Sequence, residues 1–321
     1  MTVLAVTLRD DAIGVGPRFA VAFQRTLRVP EDGADHPLPP GLGRLPVFRV
    51  DDHRDRLPAS WHGPNSFFLA LYQREALWLS FRSATWKPNA LKVGAGGVNT
   101  ISGMPLDERL RDDPQDYVVV PLQPWLDGFK TGSGVIRQFV AEPLGAGRTV
   151  EAALTGDERE GGIQLVVFEP VPGVFPAEAP PGPPPTLRPS ASAGGMGLGA
   201  GGRIRQRVTP DPHGLGAWDQ DQRASVTIHL LNSAQFRSTT GRDPPPTPVD
   251  ARAYTERALP WFDLYDEGEG DLDAPPLLAS LDEGAPEEAG IAVPDDQVTV
   301  IRRRPPAPES PKTEPRPPGH L

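Results

Sequence analysis

The chain has no cysteine, only four lysines and four asparagines, and no long apolar run. The first absence excludes disulfides, thiolate metal sites, iron–sulfur clusters and cysteine nucleophiles together. No stretch approaches the ~18 apolar residues of a membrane span, so no membrane contact is expected. Met1–Leu8 carries neither a basic start nor an apolar core, so no signal peptide is expected and the default compartment is the cytoplasm. The lysines stand against 28 arginines. That skew is the mark of a GC-rich genome and points to a bacterial origin, which weakens the meaning of any single arginine, proline or alanine.

Charge of one sign is missing from one segment. Residues 266–301 hold eleven Asp and Glu and no Lys or Arg, more than the net charge of −10 for the whole chain. The remainder is near neutral and shows no extended basic run, so no nucleic-acid partner is expected.

What is abundant is proline (41) and glycine (34), and both are clustered, which divides the chain into ordered and disordered parts. Residues 1–170 read as a β-rich globular core. Residues 171–202 read as a Pro/Gly-rich linker without hydrophobic periodicity. Residues 203–267 read as a returning segment, too small for a core of its own, that packs back on the first. Residues 268–321 read as a disordered tail, acidic and then rich in Pro and Arg. Gln297–Ile301 is the one candidate strand within it.

The densest apolar runs lie between Asp116 and Pro170, where Tyr117–Leu122 and Ile163–Phe168 are short β-branched runs bounded by turn residues. Thr2–Leu8, Phe19–Val29, Leu77–Arg82, Thr149–Leu154 and Ser225–Leu231 also read as strands. Asn65–Phe81 begins ambiguously, as does Val135–Ala141. Strands follow one another through short turns without regular strand–helix alternation, so the fold class is β-rich, a β-sandwich or an α+β sheet.

Gly197, Gly199 and Gly202 fit G-x-G-x-x-G, but a dinucleotide fingerprint needs a strand before it and a helix after it. A flexible linker is the favoured reading. Arg203, Arg205 and Arg207 alternate, so on a strand they share one face opposite Ile204 and Val208. That face suits a small anionic ligand, although a solvated edge in an Arg-rich chain explains it as well. Asp211, His213 and Asp219 could ligate zinc or manganese but match no strong spacing, and a surface loop is favoured. His53 and His62 form a similar weak cluster. His229 sits inside SVTIHLL, where a satisfied histidine is the ordinary reading. No G-x-S-x-G elbow occurs; Lys130–Gly134 (KTGSG) resembles only its second half. Carboxylate pairs could come from Glu75, Asp127, Glu151, Glu169 or Asp263. Asp127 and Asp263 stand out because each follows Pro-Trp-apolar, in PWLDGF and PWFDLY. Arg302-x-x-Pro305-x-x-Pro308 fits a polyproline docking pattern, of which proline-rich chains offer many by chance.

Four stretches, YQREALWLSF (72–81), PWLDGFKTGSGVIRQFVAEPLG (124–145), GLGAGGRIRQ (197–206) and PWFDLYDE (260–267), resemble a family of uncharacterised bacterial and fungal proteins. The resemblance implies that residues 1–267 act as one unit, and it brings no catalytic residue with it. The leading expectation is a non-catalytic binding or interaction protein with a protein partner or a small anionic ligand. Its expected site is Arg203, Arg205 and Arg207 with Gly199, Gly202 and His213. The alternatives are a hydrolase of sugars or esters using Asp127 and Asp263, and a structural component of a larger assembly. The sequence assigns no metal site and names no cofactor.

Overall fold

Strands whose apolar residues recur at every second position bury one face, and two such sheets satisfy each other by stacking. The computed structural model of this chain describes residues 4–179, 197–246, 249–257, 259, 261–265, 270–281 and 298–302. The first strands are β1 (Val6–Arg9), β2 (Ala12–Val15), β3 (Phe19–Thr26), β4 (Asp35–His36), β5 (Gly41–Arg44), β6 (Phe48–Arg49), β7 (Ser66–Ala70) and β8 (Ala76–Arg82). They are followed by β9 (Asn89–Ala95), β10 (Val98–Asn99), β11 (Val118–Val120), β12 (Trp125–Leu126), β13 (Gly128–Gly132), β14 (Val135–Glu142), helix α1 (Val150–Thr155) and β15 (Ile163–Pro170). Next come β16 (Gly197–Arg205), β17 (Trp218–Leu231), α2 (Ser233–Thr240) and α3 (Ala251–Glu256). The last described elements are β18 (Trp261–Tyr265), α4 (Pro276–Ala279) and β19 (Val298–Arg302).

Two mixed sheets result. The larger runs β1-β2-β3-β8-β14-β16-β4, with β5 beside β3, β12 beside β8 and β13 beside β14. The smaller runs β10-β9-β15-β17-β7-β6, with β11 beside β9. A single apolar cluster joins them. Val21, Phe23, Leu77, Leu79 and Phe81 of the larger sheet meet Leu91, Val93, Leu165, Val167, Val226 and Ile228 of the smaller. The β-rich class therefore takes its sandwich form. The segment of β12 and β13 wedges into a fork, since β8 pairs with β12 at Leu79 and Ser80 but with β14 at Ala76 and Leu77. Gly128 makes this wedge feasible, because a Cβ there would lie 1.8 Å from the Arg137 carbonyl oxygen.

The outer faces are covered too. Phe68, Ala70 and Leu231 lie under Val50, Leu57 and Phe236. Val166 and Phe168 pack with Leu110, Tyr117 and Trp218. Ile136 and Ile204 pack with Leu27, Val29, Tyr254 and Trp261.

Three expectations are corrected. Thr149–Leu154 is not a strand: the Thr149 side chain accepts from the Ala152 N–H, Gly156 closes the other end at φ 76°, and Val150–Thr155 between them is helical. The linker does not extend to residue 202, since Gly197–Gly202 are part of β16, antiparallel to β14. Residues 270–281, expected in the disordered tail, pack on the sandwich: α4 lies against β13 and Leu278 is fully buried. The Gln297–Ile301 expectation meets β19, which pairs in parallel with β18. The open half of Asn65–Phe81 contains β7, and Val135–Ala141 lies in β14. Three of the four stretches quoted for the resemblance fall on β8, β12–β14 and β16, neighbours in the larger sheet. Among the described residues, no helix is long and apolar enough to cross a membrane.

Candidate binding cleft

Along β17, Ile228 and Leu230 enter the inter-sheet core, so His229 between them faces outward. The Trp61 indole lies flat on its imidazole, with centroids 4.1 Å apart and planes 5° apart. His229 Nε2 is 3.1 Å from Ser66 Oγ. Burial pushes the imidazole pKa down to about 4, so the ring is neutral near pH 7 and the stack is an uncharged π surface.

Beside this stack opens a cleft of about 350 Å³, also lined by Leu144, Arg159, Asn232, Gln235 and the Gly161–Gly162 turn. Small-molecule sites are typically ~300–1,000 Å³ and mix apolar walls with a few polar groups. Leu144 is 44% exposed, unusual for leucine, and leans over Gly161.

Two carboxylates fix the walls. Glu151, buried on α1, accepts the N–H groups of Arg159 and Glu160 at 2.8 Å and of Gly161 at 2.9 Å. Glu158 accepts the N–H groups of Gly145, Gly147 and Thr149 and the Thr149 hydroxyl, which holds the loop next to Leu144. Burial works to raise the Glu158 pKa, but these hydrogen bonds together hold it below the ordinary value. The floor is equally fixed. The Asn232 oxygen accepts from the Ala234 and Gln235 N–H groups, and the Gln235 oxygen accepts from the Asn232 N–H, a reciprocal cap of α2. Both capping residues, Asn232 and Gln235, also line the cleft.

The residues expected from sequence lie elsewhere. Arg203 Nε donates to Asp35 Oδ1 at 2.6 Å across the parallel β16–β4 pair. Arg205 and Arg207 are exposed while Ile204, Gln206 and Val208 are buried, so the alternation read from the sequence is present. Gly199 and Gly202 allow close approach of chain. A Cβ on Gly199 would lie 2.8 Å from Glu142 Cγ, and one on Gly202 would lie 2.0 Å from the Pro30 carbonyl oxygen. His213 stands apart from the arginines, edge-on to Phe175 and Trp218 on the outer side of the smaller sheet. Its neighbour Asp211 accepts from the Tyr117 hydroxyl at 2.6 Å and from Trp218 Nε1 at 2.8 Å. Among the described residues, no group of three His, Asp or Glu is placed to hold a metal ion.

Asp127 is 3% exposed and does not line the cleft. Asp263 is on β18 opposite Val300, and its side chain lies outside the described residues. Their preceding tryptophans, Trp125 and Trp261, pack on the same small cluster around Ile136 and Tyr254.

Sequence reasoning did not single out Trp61, Leu144 or the paired amides. Only the amides carry a local signal, the Asn-x-x-Gln spacing of a capping box at Asn232–Gln235. The stack depends on the parallel β7–β17 pairing, which brings distant segments together. No family model, no curated protein and no solved structure matches the chain.

Proposed function

We propose that this protein is a non-catalytic binding protein whose cleft takes a small ring-bearing ligand against the Trp61–His229 stack. The observation that carries the reading is the preorganised cleft itself. An uncharged aromatic stack, an exposed leucine and the amide side chains of Asn232 and Gln235 line one concavity whose loops are held by Glu151 and Glu158. A rigid site loses little entropy on binding, so a modest contact area yields useful affinity. Tryptophan supplies the flat surface on which sugar rings and heterocycles stack, and the amides with Arg159 at the rim donate to acceptors on the ring. The paired-carboxylate reading lacks comparable support, since Asp127 is buried against Gln206 away from the cleft.

Ligand-observed NMR against a set of monosaccharides, oligosaccharides and heterocyclic fragments tests this. Hits that bind the wild type and Asp127→Asn but not Trp61→Ala support the cleft. Hits indifferent to Trp61→Ala, or a substrate whose turnover stops in Asp127→Asn, would sink it.

A further inference from the structure

The carboxylate of Asp271 accepts five hydrogen bonds. Lys130 Nζ donates to both of its oxygens, at 3.1 and 3.0 Å. The Ser133 hydroxyl at 3.2 Å and the Gly134 N–H at 2.6 Å reach Oδ2, and the Val208 N–H at 2.8 Å reaches Oδ1. All the donors belong to the sandwich: the hairpin of β13 and β14 and the chain just beyond β16. Lys130 is fully buried and gives a further hydrogen bond to the Gly132 carbonyl oxygen at 3.0 Å. Gly134 has φ 65°, and its carbonyl accepts from the Gln206 N–H, which fixes the turn against the segment after β16 that carries Val208.

The occupant comes from a different kind of segment. Beyond Asp271, Leu272 donates its N–H to the Val208 carbonyl oxygen at 3.0 Å and packs half-buried against the core, while Asp273 and Ala274 are exposed. The firm anchors lie further on, with Leu278 buried against Gly103 and the Leu281 carbonyl accepting from Arg137 at 2.6 Å.

We propose that this cradle is an oxyanion-binding site, occupied in cis by Asp271, which an incoming phosphate group or carboxylate displaces. A buried ammonium tolerates no vacancy opposite it, because an unpaired charge in the interior is strongly unfavourable. An entering anion takes over the pairing with Lys130 as Asp271 leaves, so ligand binding is coupled to release of the 270–273 stretch. Two fixed N–H groups, a hydroxyl and an ammonium form the donor set that turn-based anion sites present to phosphate. The site shares no residue with the cleft and stands independently of the function proposed for it.

The test is titration of inorganic phosphate at constant ionic strength, followed by backbone amide NMR, on the full-length wild type, Asp271→Ala and Asp271→Asn. Both variants are expected to bind phosphate at least tenfold more tightly than the wild type, with the Gly134 and Val208 amides shifting. Adding Lys130→Met is expected to abolish that binding. Formate as a second titrant separates the sources: equal uptake points to carboxylate ligands, and preference for phosphate to phosphorylated ones. The same phosphate response in all three proteins, or binding that survives Lys130→Met, overturns the site. Should Asp271→Ala fail to fold, Asp271→Asn, which keeps the shape without the charge, decides the matter alone.

Discussion

Asp127 and Gln206 hold each other through two hydrogen bonds: Gln206 Nε2 donates to Asp127 Oδ2 at 2.7 Å, and the Asp127 N–H donates to Gln206 Oε1 at 3.1 Å. The pair ties the β12–β13 wedge to the chain beyond β16. Burial pushes the carboxyl from its ordinary 3.8 up to about 7, against smaller lowering effects from Gln206 and Trp125. Between those values the folded protein keeps a proton that the unfolded chain has released. This group's contribution is therefore fully present at low pH and is lost as pH rises towards 7. Asp127→Asn removes the titration. In urea unfolding the variant is expected to be more stable than the wild type at pH 8, by on the order of 4 kcal/mol. Below about pH 4 the two should differ little. A difference independent of pH would refute the assignment.

His229 predicts the opposite slope. Its pKa falls from 6.5 to about 4 on burial, so the unfolded chain takes up the proton first as pH drops. Stability from this group is fully present above 6.5 and is lost as pH falls towards 4, on the order of 3 kcal/mol in all. His229→Gln should flatten that part of the profile, read as the variant-minus-wild-type difference in unfolding free energy from pH 7 to pH 4.5. The Trp61 stack should weaken in the same variant, visible as a change in tryptophan fluorescence.

Gly202→Ala is expected to be severely destabilising. Its Cβ would meet the Pro30 carbonyl oxygen at 2.0 Å and Val29 Cγ2 at 2.7 Å, and a backbone oxygen cannot rotate away as a side chain can. The cost should reach about 3 kcal/mol, the upper end for overpacking. Gly216→Ala is the control, because nothing lies within 4 Å of a Cβ there. Thermal unfolding of both variants checks the contrast.

The sandwich was legible where alternation was strong. Leu77, Leu79 and Phe81 on β8 and Val226, Ile228 and Leu230 on β17 repeat every second residue, and all enter the shared core. Legibility failed where one composition serves two structures. Gly197–Gly202 has the makeup of a linker, and only the close approach of Pro30 and Glu142 shows why a strand needs those glycines. Thr149 and Val150 are β-branched and read as strand, but the Thr149 hydroxyl acts as a cap. The cleft was not legible at all, because Trp61 and His229 meet only through strand pairing. Asp271 was hidden among acidic residues that read as a solvating spacer, and its partners come from two distant segments, the β13–β14 hairpin and the chain after β16.

The Arg25–Glu75 ion pair links the buried larger sheet to a surface loop. Arg25 Nε donates to Glu75 Oε1, while its Nη2 donates to the Pro246 carbonyl oxygen at 2.8 Å. Tyr72, whose N–H donates to Glu75 Oε2 at 2.7 Å, gives its hydroxyl to the Pro245 carbonyl oxygen at 2.7 Å. Burial outweighs the attraction of Arg25 and leaves the Glu75 carboxyl above its ordinary value, so the arginine is needed to keep it charged. Arg25→Met should strand that carboxylate and destabilise the fold by about 3–5 kcal/mol, with Arg25→Met/Glu75→Gln recovering most of the loss. The loop should respond differently from the core. Neither variant retains the guanidinium that holds Pro246, so trypsin should cut after the adjacent Arg242 faster in both. Recovery of stability without recovery of protease resistance would separate the two roles of Arg25. Restoration of both by Glu75→Gln would show instead that the loop follows core stability and that the Pro246 contact holds nothing by itself.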